Sequence, residues 1–262
     1  MSHAFRLYAH RGASAELPEN TLPAFRRALE IPGVDALELD VHLTRDGHAL
    51  VSHDESAARM GGVDARWREL DLADAQRIDL GHGFVAPDGS RPHAGKGFRA
   101  PTLEELLVEL PGVRLNVDIK QARPPMVAPL LRMLRKLKAE DRVTLASFQT
   151  RTLLAVRQRG YGGETALAQN EVGALCVLPR RVIEALPFVG DAAQVPVRVG
   201  PIVLGSERFI AKCHALGMRV DFWTINDPAE ARRLIALGAD GIMTDDPFVM
   251  APALREVPRR TN

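Results

Sequence analysis

The chain has 262 residues, 46 % of them apolar and 26 % charged, with a formal net charge of +1. That size fits one large domain, and the near-neutral balance gives no electrostatic ground for a nucleic-acid or anionic-membrane partner. Cys176 and Cys213, the only cysteines, lack metal-knuckle spacing and read as buried thiols in a reducing compartment.

The N-terminus, MSHAFRLYAHRG, has no basic stretch followed by an apolar run, and no later window approaches the ~20 apolar residues of a membrane span. A soluble, cytoplasmic protein without a stable membrane anchor is therefore expected. Phe5 to Ala9 reads as a buried strand ending at His10, with a turn at Gly12. Asn20 or Thr21 caps a helix that carries Pro23 in its first turn and a stripe of Leu22, Phe25 and Leu29. The stretch 36–43 alternates as a strand, so Glu38 and Asp40 point the same way. Asp46-Gly47 is a hairpin signal, and the return strand 49–52 brings His53 back toward those two carboxylates.

From Glu55 to Ala100, glycines and prolines break any regular period, apart from a short helix at 72–78. A segment this long and irregular reads as an insertion over an active-site mouth. Thr102 and Glu105 then form a capping box for a helix. Strands follow at 114–119, 143–147, 164–168, loosely near 195–199, at 219–225 and at 241–244. Helices at 126–137, 152–159, 206–216 and 228–237 alternate with them. Eight strands alternating with helices over this length indicate an α/β fold, a (β/α)8 TIM barrel, with residues 1–262 as a single domain and 55–100 inserted after the second strand's hairpin.

In such a barrel, chemistry sits at the C-terminal ends of the strands. That rule gathers His10 and Arg11, Glu38 and Asp40, His53, Asn116, Asp118 and Lys120, Ser147, Trp223 and Thr224 with Asn226 beyond, and Thr244-Asp245-Asp246 at one rim. Two carboxylates on one face repel unless a cation lies between them or one holds a proton, and a hard divalent cation is the simplest answer. His10 and His53 would supply acid–base groups near neutral pH. Taken singly, each feature has a plainer reading: an ordinary ion pair for Glu38 and Asp40, a core side chain for Trp223. Their coincidence at one rim shifts the balance toward catalysis.

Ordered along the chain are HRG (10–12), PENT (18–21), ELDV (38–41), TRDG (44–47), HD (53–54), PTLEELL (101–107), N-x-D-x-K (116–120), WTIND (223–227) and GADGIMTDDP (238–247). The set resembles the glycerophosphodiester phosphodiesterase family over essentially the whole chain. The resemblance implies a hydrolase that turns a small-molecule glycerophosphodiester into glycerol 3-phosphate and an alcohol, in glycerol and lipid metabolism. It further implies His10 and His53 as the acid–base pair, with His10 favoured as base and His53 as acid. Glu38, Asp40 and Asp118 would be ligands of a divalent metal, Mg²⁺ or Ca²⁺. Arg11 and Lys120 would contact the phosphate, and Trp223 would line the pocket. A cyclic phosphate formed by the neighbouring glycerol hydroxyl is the family's expected intermediate. Where the family carries Glu in E-x-K, this chain has Asp118, one methylene shorter, so the metal sits nearer that strand or a water bridges the gap. Two alternatives remain: a lysophospholipase D, which would need an apolar groove such as Trp67, Phe84 and Phe98 could form, although those aromatics read first as the insertion's own small core, and a non-catalytic barrel that binds a phosphate ligand. The leaving alcohol and the oligomeric state are not written in the sequence.

Overall fold

Strand β1 (Arg6–His10) pairs in parallel with β2 (Ala36–Leu43), which turns back antiparallel into β3 (Ala49–Val51). The parallel ladder continues through β4 (Arg114–Ile119) to β5 (Val143–Ala146) on one side. On the other side, β1 pairs with the last strand of the chain. These relationships come from a computed structural model that describes residues 3–123, 125–183 and 190–255. Pro187, between the strands expected at 164–168 and near 195–199, lies outside them.

The expected strand at 164–168 survives as single parallel bridges, Leu145 to Thr165 and Ala166 to Ala192, and it carries the ring from β5 to β6 (Ala192–Val195). The sixth strand thus lies a few residues earlier than expected. Pro196 has no N–H to donate and ends that ladder. Beyond it, β7 (Arg198–Val199) and β8 (Ile202–Val203) form a separate exposed hairpin. Next come β9 (Arg219–Phe222) and β10 (Gly241–Thr244), and the order β5-β4-β2-β1-β10-β9-β6 plus the 164–167 bridge closes a parallel barrel.

Helices occupy the outside, as apolar stripes require. Thr21 caps Leu22–Leu29 by accepting from the Ala24 N–H, with Pro23 in the first turn, and Thr102 and Glu105 form the expected capping box of Leu103–Glu109. Two large apolar clusters lie between helices and strands, one for each half of the barrel. A third belongs to the insertion, where Trp67, Met60 and Leu80 pack with Leu50, Ala100 and Phe98. Trp67 and Phe98 thus form the insertion's own core, not a substrate groove. The Trp67 indole donates to Ser52 Oγ (3.0 Å) and to the Asp54 carbonyl (2.9 Å), hooking the insertion onto the segment that carries His53. Inside the barrel, toward the strands' N-terminal ends, a polar layer forms the floor: Arg6–Glu164 (2.7 Å), Arg219–Asp221 (2.9 Å) and Gln194–Asn116 (2.8 Å). Among the described residues, no helix is long and apolar enough to cross a membrane.

Candidate active site

The strand ends deliver their polar side chains to one cavity of about 560 Å³, lined by His10, Arg11, Glu38, Asp40, His53, Asp118, Lys120 and Trp223. All eight expected site residues therefore meet there. β2 is buried along its whole length, so period-two alternation sends Glu38 and Asp40 inward while Leu37, Leu39 and Val41 join the core. The β2–β4 register sets Asp40 directly beside Asp118.

Arg11 takes a left-handed backbone (φ 58°), held by its N–H to the Glu38 carbonyl and its carbonyl to the Asn20 N–H. Strain of this kind persists where surrounding bonds over-determine it, commonly at functional sites. Gly12 follows at φ 86°, and a Cβ there would stand 2.7 Å from the Ala24 carbonyl carbon, so only glycine lets this loop lie on the first helix.

The carboxylates do not share one environment. Asp40 is 1 % exposed; it lies 3.0 Å from Lys120 Nζ, accepts from Asn20 (3.0 Å) and has Arg11 Nε at an ion-pair separation of 3.3 Å without hydrogen-bond geometry. Burial opposes its charge, but Lys120 and Arg11 outweigh that and hold its pKa below the usual range. Glu38 has only His10 Nε2, 3.7 Å away, as an ion-pair partner; burial and then Asp40's charge outweigh His10 and Arg11 and push its carboxyl up to about 8. Burial also raises Asp118, even though Lys120 donates to it at 2.7 Å.

Both imidazoles are held from behind. His10 Nδ1 lies 2.6 Å from Asp245 Oδ1, and its Nε2 stands 3.7 Å from Glu38. Asp245 is itself fixed by Asn226 Nδ2 (2.8 Å). Burial disfavours charge on His10, but Glu38 and Asp245 together outweigh it and raise its pKa. His53 Nδ1 lies 2.8 Å from Asp54 Oδ1, with Arg59 Nε donating to the other oxygen of Asp54 at 2.6 Å. With each Nδ1 engaged by a carboxylate, each Nε2 is the ring nitrogen left for the cavity.

Among the described residues, no group of three or more His, Cys, Asp or Glu side chains is arranged to hold a metal ion; Lys120 and Arg11 pair with the carboxylates instead. Yet Glu38 Oε2 and Asp118 Oδ1 are buried without any hydrogen-bond partner. Two orphaned acidic oxygens beside Asp40, in an all-oxygen donor set, fit a hard divalent cation.

Sequence reasoning missed the apolar half of the cavity. Phe148, Val172, Val177, Val195, Val199 and Ile202 line it, none of them singled out by the sequence, while the insertion's Trp67 and Phe98 form its own core as expected. Trp223 packs edge-on to Phe148 (5.8 Å between centroids), and Lys120 Nζ lies 5.4 Å from the same ring centre. Cys213 is buried as expected, whereas Cys176 stands in the cavity wall. The supporting residues Asp245, Asn226 and Arg59 were also missed as partners; TDDP and WTIND contain the first two, but the Asp245–His10 contact and the Asn226–Asp245 bond behind it are tertiary.

Comparison with known proteins agrees in one direction. The model of the glycerophosphoryl diester phosphodiesterase family matches residues 10–249. Over 260 residues the chain is 32 % identical to the probable glycerophosphodiester phosphodiesterase 2 of Mycobacterium tuberculosis, covering 95 % of this chain and 89 % of that one. It is 31 % identical to the glycerophosphodiester phosphodiesterase of Caldanaerobacter subterraneus, covering 95 % and 97 %. Among solved structures, an Oleispira antarctica phosphodiesterase in complex with the product sn-glycerol-3-phosphate is similar in fold. Its TM-score is 0.76 at 21 % identity, with 96 % of this chain and 97 % of that chain covered.

Proposed function

The chain belongs to the glycerophosphoryl diester phosphodiesterase family, and on that premise we propose that it hydrolyses glycerophosphodiesters to glycerol 3-phosphate and an alcohol. The observation that carries this reading is the pair of carboxylate-braced imidazoles on one cavity with two cations. A phosphodiester anion repels nucleophiles, so its charge must be offset before attack. Arg11 and Lys120 face the cavity to do this, and they stabilise charge that grows in the transition state. One imidazole Nε2 takes the proton of the attacking hydroxyl or water, and the other gives a proton to the departing alkoxide. Asp245 and Asp54 keep the rings turned so that Nε2 serves both purposes.

Glu38, Asp40 and Asp118 would hold a divalent cation, Mg²⁺ or Ca²⁺. When bound it would supply further positive charge for the phosphoryl oxygens. The test is release of choline from glycerophosphocholine by the purified protein, before and after treatment with a chelator. Activity that is lost with the chelator and restored by Mg²⁺ or Ca²⁺ is expected. Full activity after chelation rejects the metal, and phosphate binding without turnover under any divalent ion favours the non-catalytic barrel.

A second reading has its own support. The apolar wall of Phe148, Val177, Val199 and Ile202 suits a fatty chain on the glycerol, as in a lysophospholipase D reaction. Turnover of lysophosphatidylcholine above that of glycerophosphocholine, lost in Val177→Asp, favours it; a preference for the chain-free substrate rejects it.

A further inference from the structure

We propose that Arg59, contributed by the inserted segment, is a positioning residue that sets Arg11 and His53 together; this rests on the phosphodiesterase reading of the same site. Its guanidinium spans two carboxylates. Nη1 and Nη2 donate to Glu19 Oε2 (3.0 Å) and Oε1 (2.6 Å), while Nε donates to Asp54 Oδ2 (2.6 Å). Each carboxylate passes the constraint inward. Glu19 Oε1 also accepts from Arg11 Nη1 at 3.1 Å, and Asp54 Oδ1 lies 2.8 Å from His53 Nδ1. One fork of five donors thus ties the cation facing the phosphate to the acid–base imidazole, a geometry that arginine alone provides.

An isolated exposed ion pair would be worth little, but this one differs in what it prevents. Glu19 has two oxygens, and Arg59 engages both. Without Arg59, the pair becomes free for a bidentate grip on Arg11, which draws that guanidinium toward Glu19 and away from the cavity. Asp54 would lose its second anchor and turn, taking the acceptor of His53 Nδ1 with it. Small misplacements of this kind are costly in rate.

The insertion places Arg59 rigidly enough to act this way. Arg59 lies in the short helix Ala58–Gly61, against which Gly83 packs so closely that a Cβ there would stand 2.4 Å from Met60 Cα. Met60 belongs to the insertion's core beside Trp67. The inserted segment is therefore a brace for the site, although none of its residues lines the cavity itself.

The experiment measures kcat and KM for glycerophosphocholine, and the calorimetric affinity for inorganic phosphate, in Arg59→Met, Arg59→Lys, Asp54→Asn and the double variant Arg59→Met/Glu19→Gln. Arg59→Met should weaken phosphate binding, raise KM and lower kcat, each by about tenfold, the scale of one charge-assisted hydrogen bond. Arg59→Lys should restore neither fully, because one ammonium cannot grip both carboxylates. Asp54→Asn should lower kcat and leave KM near the wild-type value. The double variant should recover phosphate affinity and KM but not kcat, since neutralising Glu19 frees Arg11 without re-anchoring Asp54. A purely structural arginine gives no such split. Phosphate affinity unchanged in Arg59→Met, or kcat and KM moving together in the double variant, overturns the proposal. Should the wild-type protein leave glycerophosphocholine intact, the substrate reading fails, and the phosphate titrations still decide the role of Arg59.

Discussion

Burial first and Asp40's charge second push the Glu38 carboxyl up to about 8, which favours a proton on it near neutral pH. A metal ion arriving there must displace that proton, so its affinity should climb with pH through neutrality, by up to about tenfold per unit below 8. Calorimetry with Mg²⁺ in two buffers of different ionisation enthalpy checks this; an affinity independent of pH, with no proton released, contradicts it. At the same scale, Asp245 orients His10. Asp245→Asn should lower kcat about tenfold or more, a loss of roughly 1.4 kcal/mol in transition-state stabilisation, with the unfolding transition little changed. Equal kcat would remove Asp245 from the mechanism. The expected site residues were legible because short motifs carry them: HRG, ELDV and HD each supply side chains that meet in the cavity. Their supports were less so. Asp245 reaches His10 across 235 positions of chain, and Arg59 looked like any charge in an irregular segment.

Elements with one apolar face were legible from the sequence, and those with two were not. Helix Gln169–Val177 escaped notice because its apolar residues divide between core and cavity: Leu175 is buried in the core while Val172, Cys176 and Val177 line the cavity. That division blurs the 3.6-residue period on which recognition depends. The capping box of Leu103–Glu109 was readable because its chemistry is local. Thr102→Ala should cost about 1 kcal/mol in a urea titration and leave KM unchanged; a loss near zero would mean the cap is idle. The insertion depends on Trp67, 1 % exposed and hydrogen-bonded to the Asp54 carbonyl. Trp67→Ala should destabilise by about 3–5 kcal/mol and depress kcat through His53, whereas loss of stability with full kcat would separate the insertion from the site.

Across the whole molecule, the count and order of strands were readable from alternation alone, and the barrel was expected on that ground. How it closes was not, because the 164–167 segment holds the ring by single bridges and by the Arg6–Glu164 pair rather than by a long ladder. Arg6 holds the Glu164 pKa down to about 2, against the opposing effect of burial. A carboxylate depressed in the folded state contributes stability above its unfolded pKa and loses it as pH falls toward the folded value. Glu164→Gln should therefore be less stable than wild type at pH 7, with the gap narrowing between about pH 5 and pH 2; a constant gap would contradict the pairing. Closure of the ring brings His10, at the end of β1, and His53, just beyond β3, onto one cavity, and the proposed reaction uses both. The most direct measurement is a ³¹P NMR time course of glycerophosphocholine with the wild-type protein, His10→Ala and His53→Ala, in Mg²⁺ or Ca²⁺. The expected result is a growing glycerol 3-phosphate signal in the wild type and a rate lower by about 10²-fold or more in each folded variant. Either variant matching the wild-type rate, or no product from the wild type, would contradict it.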